Sequence, residues 1–314
     1  MPFTRGTDIL KDTFLVSFLL TGFGLAVWGD VRLRGMAALA GLVGMLARTN
    51  GVFAAPPLFL LCLRRNMPLL RTAMWSFVLA VALIPTSQWI NHAILRASPT
   101  HQERALQLYD LTGIAYFSGD KSVLPVDIPD VEGCYVPLFW DDLKYERCGK
   151  ANSKIRHDLT RVWLAGIVSH PAAYAEHRIA HFNREIFFLV PPAEQCVDAP
   201  ELHDCPKSLI SDLVVKNCLL WPVTWLALGL VMLFGGLGTV PRALCLSGLL
   251  YGFAYLAVGL AADFRYFYWT EIAIQTALIM QVGVAGFPRW RWALAAILAV
   301  WVAGYSWRFL SLAM

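Results

Sequence analysis

The chain has 314 residues, 57% of them hydrophobic and only 15% charged, with twelve tryptophans. A mean hydropathy of +0.54 is too apolar for a soluble domain of this length and points to a polytopic α-helical membrane protein. The formal net charge is +4, and the arginines fall in short inter-helix connections rather than on one soluble basic face, which argues against nucleic acid as a partner.

Apolar stretches long enough to span a bilayer recur at 13–29, 72–95, 213–234, 243–262, 266–287 and 292–310. The expected fold is all-α, with about six full spans plus a re-entrant or short-helix pair at 36–63. One large outer loop is expected to carry interfacial helices. This divides the chain into an N-terminal transmembrane part (1–95), a polar insert (96–207) and a C-terminal transmembrane part (208–314). No cleavable secretion signal is expected, because the first apolar run starts near Phe14 and no small-residue cleavage site follows it.

Residues 36–63 form one apolar run broken by Arg48-Thr49-Asn50-Gly51. An arginine at mid-bilayer depth costs roughly 2.5–3.5 kcal/mol on insertion scales, so it should face protein or a wet cavity and have a partner. Gly51 and Pro56-Pro57 are helix breakers, tolerated at that depth only where the freed backbone groups are satisfied. The segment reads as two half-helices meeting at a polar tip. Arg32 and Arg34 in the connection at 30–35 belong inside by the positive-inside rule, which fits a run that enters and returns on one side. A single tilted span with 30–35 outside is the other topology.

The insert holds Cys134, Cys148, Cys196 and Cys205. Pairing Cys134–Cys148 and Cys196–Cys205 closes two small rings, each stabilising by about 3 kcal/mol in the chain-entropy picture. Free thiols in a reducing compartment are the alternative. A zinc site is disfavoured, since no Cys-x2-Cys spacing is present. Paired cysteines put the insert in an oxidising space such as the periplasm of a bacterial inner-membrane protein. With the insert outside, Arg64, Arg65, Arg71, Arg242, Arg289 and Arg291 all fall inside.

Within the insert, 101–117 has apolar residues at helical spacing and reads as an amphipathic interfacial helix. Residues 158–189 read as a second one, broken at His170-Pro171. His177 and His181 stand four apart, but no third ligand has matching spacing, so no metal or other cofactor is expected. The acidic residues Asp127, Asp130, Glu132, Asp141 and Asp142 read as solvated loop charge. Further on, Asp263-Phe264-Arg265-Tyr266 and Glu271 join two apolar blocks almost without a loop. Arg265 there suits a phosphate held by bidentate hydrogen bonds. An aromatic belt with an Asp263–Arg265 ion pair accounts for the same residues.

The segment from Thr4 to Leu63, with Arg5, Asp8 or Asp12, and then Gly41, Gly44, Arg48 and Gly51, resembles the middle of GT-C-type glycosyltransferases. These include the protein mannosyltransferases and aminoarabinose transferases. Pro171, Tyr174, His177, Arg178 and Phe182 resemble a pattern before the later spans of bacterial members, and Arg265-Tyr266 resembles their outer "RY". The resemblance implies transfer of a sugar from a polyprenyl-phosphate donor to an acceptor at the outer membrane face. On that reading Arg48 and Arg265 contact the lipid phosphate, Asn50 and Tyr266 position it, and Asp263 lines the site. The family's catalytic acid follows a first transmembrane helix, and the chain begins at what resembles a later one, so that acid is not carried over. Asp12 and Asp110 are the substitute candidates. The rival expectation is a non-catalytic lipid-binding, flippase-like, transport or assembly protein.

Overall fold

The computed structural model describes residues 11–28, 30–63, 68–94, 96, 102–138, 143, 148–155, 158–190, 217–285 and 290–310. In chain order the helices are α1 (Lys11–Val27), α2 (Val31–Ala47), α3 (Ala55–Leu63), α4 (Leu69–Trp89), α5 (Gln102–Ser118), α6 (Val131–Cys134) and α7 (Ala151–Lys154). They continue as α8 (Thr160–Ser169), α9 (Pro171–Glu185), α10 (Pro222–Leu233), α11 (Thr239–Val258), α12 (Tyr268–Ala285) and α13 (Trp290–Leu310). No strand occurs among the described residues. The chain packs as two compact units. Met1–Ser98, Val190–Ala254 and Phe264–Met314 form the first, and Pro99–Leu189 with Tyr255–Asp263 forms the second.

The expectation of about six full spans is corrected. Among the described residues only Leu70–Ile94, which is α4 with its terminal π-turn, and α11 are long and apolar enough to cross a membrane. Helices α1 and α2 have 17 residues each. At 1.5 Å per residue they reach about 25 Å, short of a hydrocarbon core of about 30 Å. Helix α10 has 12 residues. Helix α12 carries Glu271, Gln275 and Gln281, while α13 carries Arg291, Arg308 and four tryptophans, which lower their mean hydropathy. The assignment of the loops at 235–242 and 288–291 to the inner side loses its basis with the spans that separated them.

In the first unit, α1 and α2 pack closely because glycines remove the bulk between them. A Cβ on Gly44 would sit 3.1 Å from the Phe18 Cβ, and one on Gly22 or Gly41 would meet Leu58 at 2.8 Å. The glycines of the family-like run therefore have a packing role. Asp30 caps α2 by accepting from the Arg32 N–H. The helix stops because Arg48 turns extended (φ −146°, ψ 112°), and a 3-10 turn at Thr49–Phe53 leads to α3. Pro56 and Pro57 fall in the first turn of α3, where a missing N–H costs nothing. The Ala54 carbonyl accepts from Ser247 Oγ at 2.5 Å, and Trp269 Nε1 donates to Ser247 at 2.9 Å. Trp269 in turn stacks on Phe23, with ring centroids 5.8 Å apart.

In the second unit α5 is the central helix. Every residue from Gln107 to Ala115 is buried, so 101–117 is a core helix and not the interfacial one expected. Its polar residues have internal partners: Gln107 donates to Thr160 Oγ1 at 3.0 Å, and Thr112 donates to the Leu108 carbonyl. Leu108, Tyr109, Val131, Tyr135, Leu143 and Leu159 build the core beside the disulfide Cys134–Cys148. The chain breaks between α8 and α9 at His170, with Pro171 opening α9. Tyr255–Asp263 joins this unit through Leu260 in the core and the Ala262 N–H on the Leu138 carbonyl.

Candidate functional site

Two polar clusters lie within the described helices. The first, in the second unit, centres on Asp110, which has no exposed surface. Its Oδ2 accepts from Trp163 Nε1 at 2.7 Å. Its Oδ1 faces His177 Nε2 at 3.0 Å and forms an ion pair with Arg178. Arg178 also donates to the Gly259 carbonyl at 2.8 Å. Burial pushes the His177 imidazole down to about 4, so the ring is neutral at pH 7. Nε2–H then donates to Asp110, and Nδ1 accepts from the Tyr135 hydroxyl at 2.8 Å.

One turn on, His181 Nδ1 lies 2.8 Å from the Pro137 carbonyl and must donate to it. Its Nε2 faces Glu185 Oε1 at 3.3 Å. Burial raises the Glu185 carboxyl above its ordinary value. Tyr109, whose hydroxyl burial also pushes up, donates to the Val136 carbonyl at 2.9 Å and lies 3.2 Å from His181 Nδ1. Asp110, His177, His181 and Glu185 are all sealed from solvent. The cluster fastens α5, α8 and α9 together. It joins His177 and Arg178, two residues of the motif before the later spans, to the catalytic candidate Asp110, which the sequence left separate. The signal that joins them is an aspartate set among the apolar residues Leu108, Leu111 and Ile114.

The second cluster lies in the first unit. Asp12, 3% exposed, pairs with Arg48 at 2.8 Å (Nε to Oδ1) and accepts again from Arg48 Nη1 at 3.1 Å. The Arg48 guanidinium carbon lies 4.9 Å from the centre of the Tyr266 ring, and that of Arg265 lies 5.4 Å from the same ring. Arg265 and Tyr266 sit in a 3-10 turn at Phe264–Phe267 that leads into α12. Asn50 stands in the turn after Arg48. The structure thus gathers Asp12, Arg48, Arg265 and Tyr266. Asp263 belongs to the second unit, with its N–H on the Ala261 carbonyl.

Among the remaining sequence candidates, Asp130 caps α6 by accepting from the Gly133 N–H at 2.9 Å. Asp141, Asp142 and the Cys196–Cys205 pair lie outside the described residues. No group of three or more His, Cys, Asp or Glu side chains able to hold a metal occurs among the described residues. The chain matches no protein-family model, no curated protein and no solved structure.

Proposed function

We propose that this is a membrane-anchored protein that binds the phosphate of a polyprenyl-phosphate-linked sugar. By its resemblance to GT-C-type transferases, it passes that sugar to an acceptor on the outer face. The observation that carries the reading is the convergence of Arg48 and Arg265 on one tyrosine ring, with Asp12 beside Arg48. A guanidinium group suits a phosphate through charge-assisted, bidentate hydrogen bonds. In a transfer reaction the same charges stabilise the leaving phosphate.

The anchoring rests on α4 and α11. Only 18% of the apolar window of α4 is covered by protein, and Phe77, Trp75 and Trp89 stand on its surface. Arg64, Arg65 and Arg71 flank the N-terminal end of α4, and Arg242 lies at that of α11. The positive-inside rule therefore puts the N-terminal end of α4 in the cytoplasm. The second unit follows the C-terminal end of α4, on the oxidising side where Cys134–Cys148 is stable, which in a bacterium is the periplasm.

A second reading, a lipid-phosphate binder that performs no transfer, is favoured by a specific observation. Both candidate carboxylates are already paired with arginine, Asp12 with Arg48 and Asp110 with Arg178, and such a carboxylate is a poor general base. The test is the full chain in vesicles containing a polyprenyl-phosphate sugar. Binding weakened by Arg265→Gln supports phosphate recognition, and unchanged binding overturns it. Release of free polyprenyl phosphate separates a transferase from a binder.

A further inference from the structure

The outer arc of α8 has the composition of a lipid-facing surface. Helix α8 turns Trp163, Gly166 and Ile167 inward, where Trp163 donates to Asp110 and a Cβ on Gly166 would strike Leu111 at 2.9 Å. At 100° per residue the remaining arc holds, in order, Leu164, Val168, Arg161, Ala165, Ser169 and Val162. All six are exposed, Val168 at 80%, Leu164 at 49% and Val162 at 41%. A helix on the surface of an aqueous domain turns a polar face to water. Here four of six outward residues are apolar, and the one charge is an arginine.

We infer that this face lies in the headgroup region of the bilayer, with Val162, Leu164 and Val168 among the upper acyl chains and Arg161 on lipid phosphates. The inference rests on the reading of α4 and α11 as membrane spans. Three observations support lipid as the occupant. Arg104 and Arg161 both act electrostatically on Asp158 at the start of α8, so two cations and one anion meet at that end of the helix and leave a net positive charge, complementary to anionic headgroups. Only residues 95–98 separate the apolar Leu70–Ile94 segment from the second unit, and the last residues of α11 belong to that unit, so its tethers to the bilayer are short. The face is also held rigid from behind by the Trp163–Asp110 and Gln107–Thr160 hydrogen bonds, which suits insertion as a formed helix.

The test uses the full chain reconstituted in phosphatidylcholine vesicles, with and without phosphatidylglycerol, doped with a photoactivatable phosphatidylcholine and mapped by peptide mass spectrometry. The expected result is lipid adducts on 160–169 as well as on 70–94, with more on 160–169 when phosphatidylglycerol is present. The pair Leu164→Glu and Val168→Glu, both at exposed positions, should cut adducts on 160–169 several-fold and leave those on 70–94 unchanged. Adducts on 70–94 without any on 160–169 would overturn this inference alone. Absence from both would overturn the membrane reading beneath it. A wild-type dimer in detergent that the two glutamates dissociate, with 160–169 unlabelled, would assign the face to a second copy and overturn the inference.

Discussion

Replacing Asp110 with asparagine should cost the second unit a large part of its stability. Asp110 accepts three donors on two oxygens: Trp163 on Oδ2, and His177 and Arg178 on Oδ1. Asparagine keeps one acceptor atom, its oxygen, and replaces the other with an NH2 that can only donate. Placed with its oxygen toward Arg178, it aims an amide at the Trp163 N–H; placed the other way, it aims one at the guanidinium. Arg178 is 4% exposed and would keep its charge without a carboxylate. Breaking a buried pair by removing one partner costs about 3–5 kcal/mol, against a total of about 5–15 kcal/mol for a typical domain.

Hydrogen exchange of the full chain in detergent reads this directly. The most protected amides of α9 should exchange on the order of a hundredfold or more faster in Asp110→Asn, since about 1.4 kcal/mol is a factor of ten. Asp110→Leu combined with Arg178→Met removes both charges and should recover part of that protection. If Asp110→Asn leaves α9 protection within about threefold of wild type, the pair behaves like an exposed one, and the reasoning fails.

Four further outcomes follow from the same contacts. Folded His177 titrates near 4 against 6.5 for an exposed histidine, so between those values the unfolded chain binds a proton that the folded chain does not. Stability is then full above about 6.5 and falls by about 3 kcal/mol as pH drops toward 4. Asp110, Arg178, Tyr109, Tyr135 and His181 surround the ring, and the raised Glu185 carboxyl tilts stability the opposite way. The loss is therefore read as the difference between wild type and His177→Gln in pH-dependent thermal melts. Gly113→Ala puts a Cβ into the His177 ring at Nδ1 and should destabilise by about 3 kcal/mol in the same melts, by overpacking and by displacing the ring from Tyr135. Cys134→Ser with Cys148→Ser opens a ring of sequence separation 14 and should cost about 3 kcal/mol; reduced wild type should melt with it. Asp12→Asn should lower the melting temperature more than Asp12→Asn with Arg48→Gln, because the single change leaves Arg48 facing a neutral amide.

Helix identity was largely legible in the sequence, because periodicity and breakers act locally. The stop at Arg48, the restart before Pro56-Pro57 and the break at His170-Pro171 all follow from residues within a few positions. The number of spans was not legible in the same way. An apolar run does not report where a helix ends inside it, and 213–234 yields a described helix of only 12 residues. Nor does periodicity distinguish an interfacial helix from a core one when polar residues such as Gln107, Asp110 and Thr112 find partners on other segments or on their own backbone. The Arg48 partner shows the same limit. Energetics required one, but Asp12 lies 36 residues away, and only the packing of α1 on α2 selects it. His177 and His181 stand four apart as a metal pair would, but the nitrogens of His177 are bound to Asp110 and Tyr135.

The central claim is that the Arg48–Tyr266–Arg265 cluster recognises a lipid-linked phosphate. It is tested most directly by comparing a polyprenyl phosphate with the polyprenol of the same chain length, each bound to the full chain in lipid nanodiscs. Removing the phosphate should weaken binding at least about tenfold, as expected for the loss of one charge-assisted contact. Arg265→Gln should erase that preference without altering affinity for the alcohol. Equal affinity for the two lipids, or a phosphate preference that survives Arg265→Gln, would contradict the account.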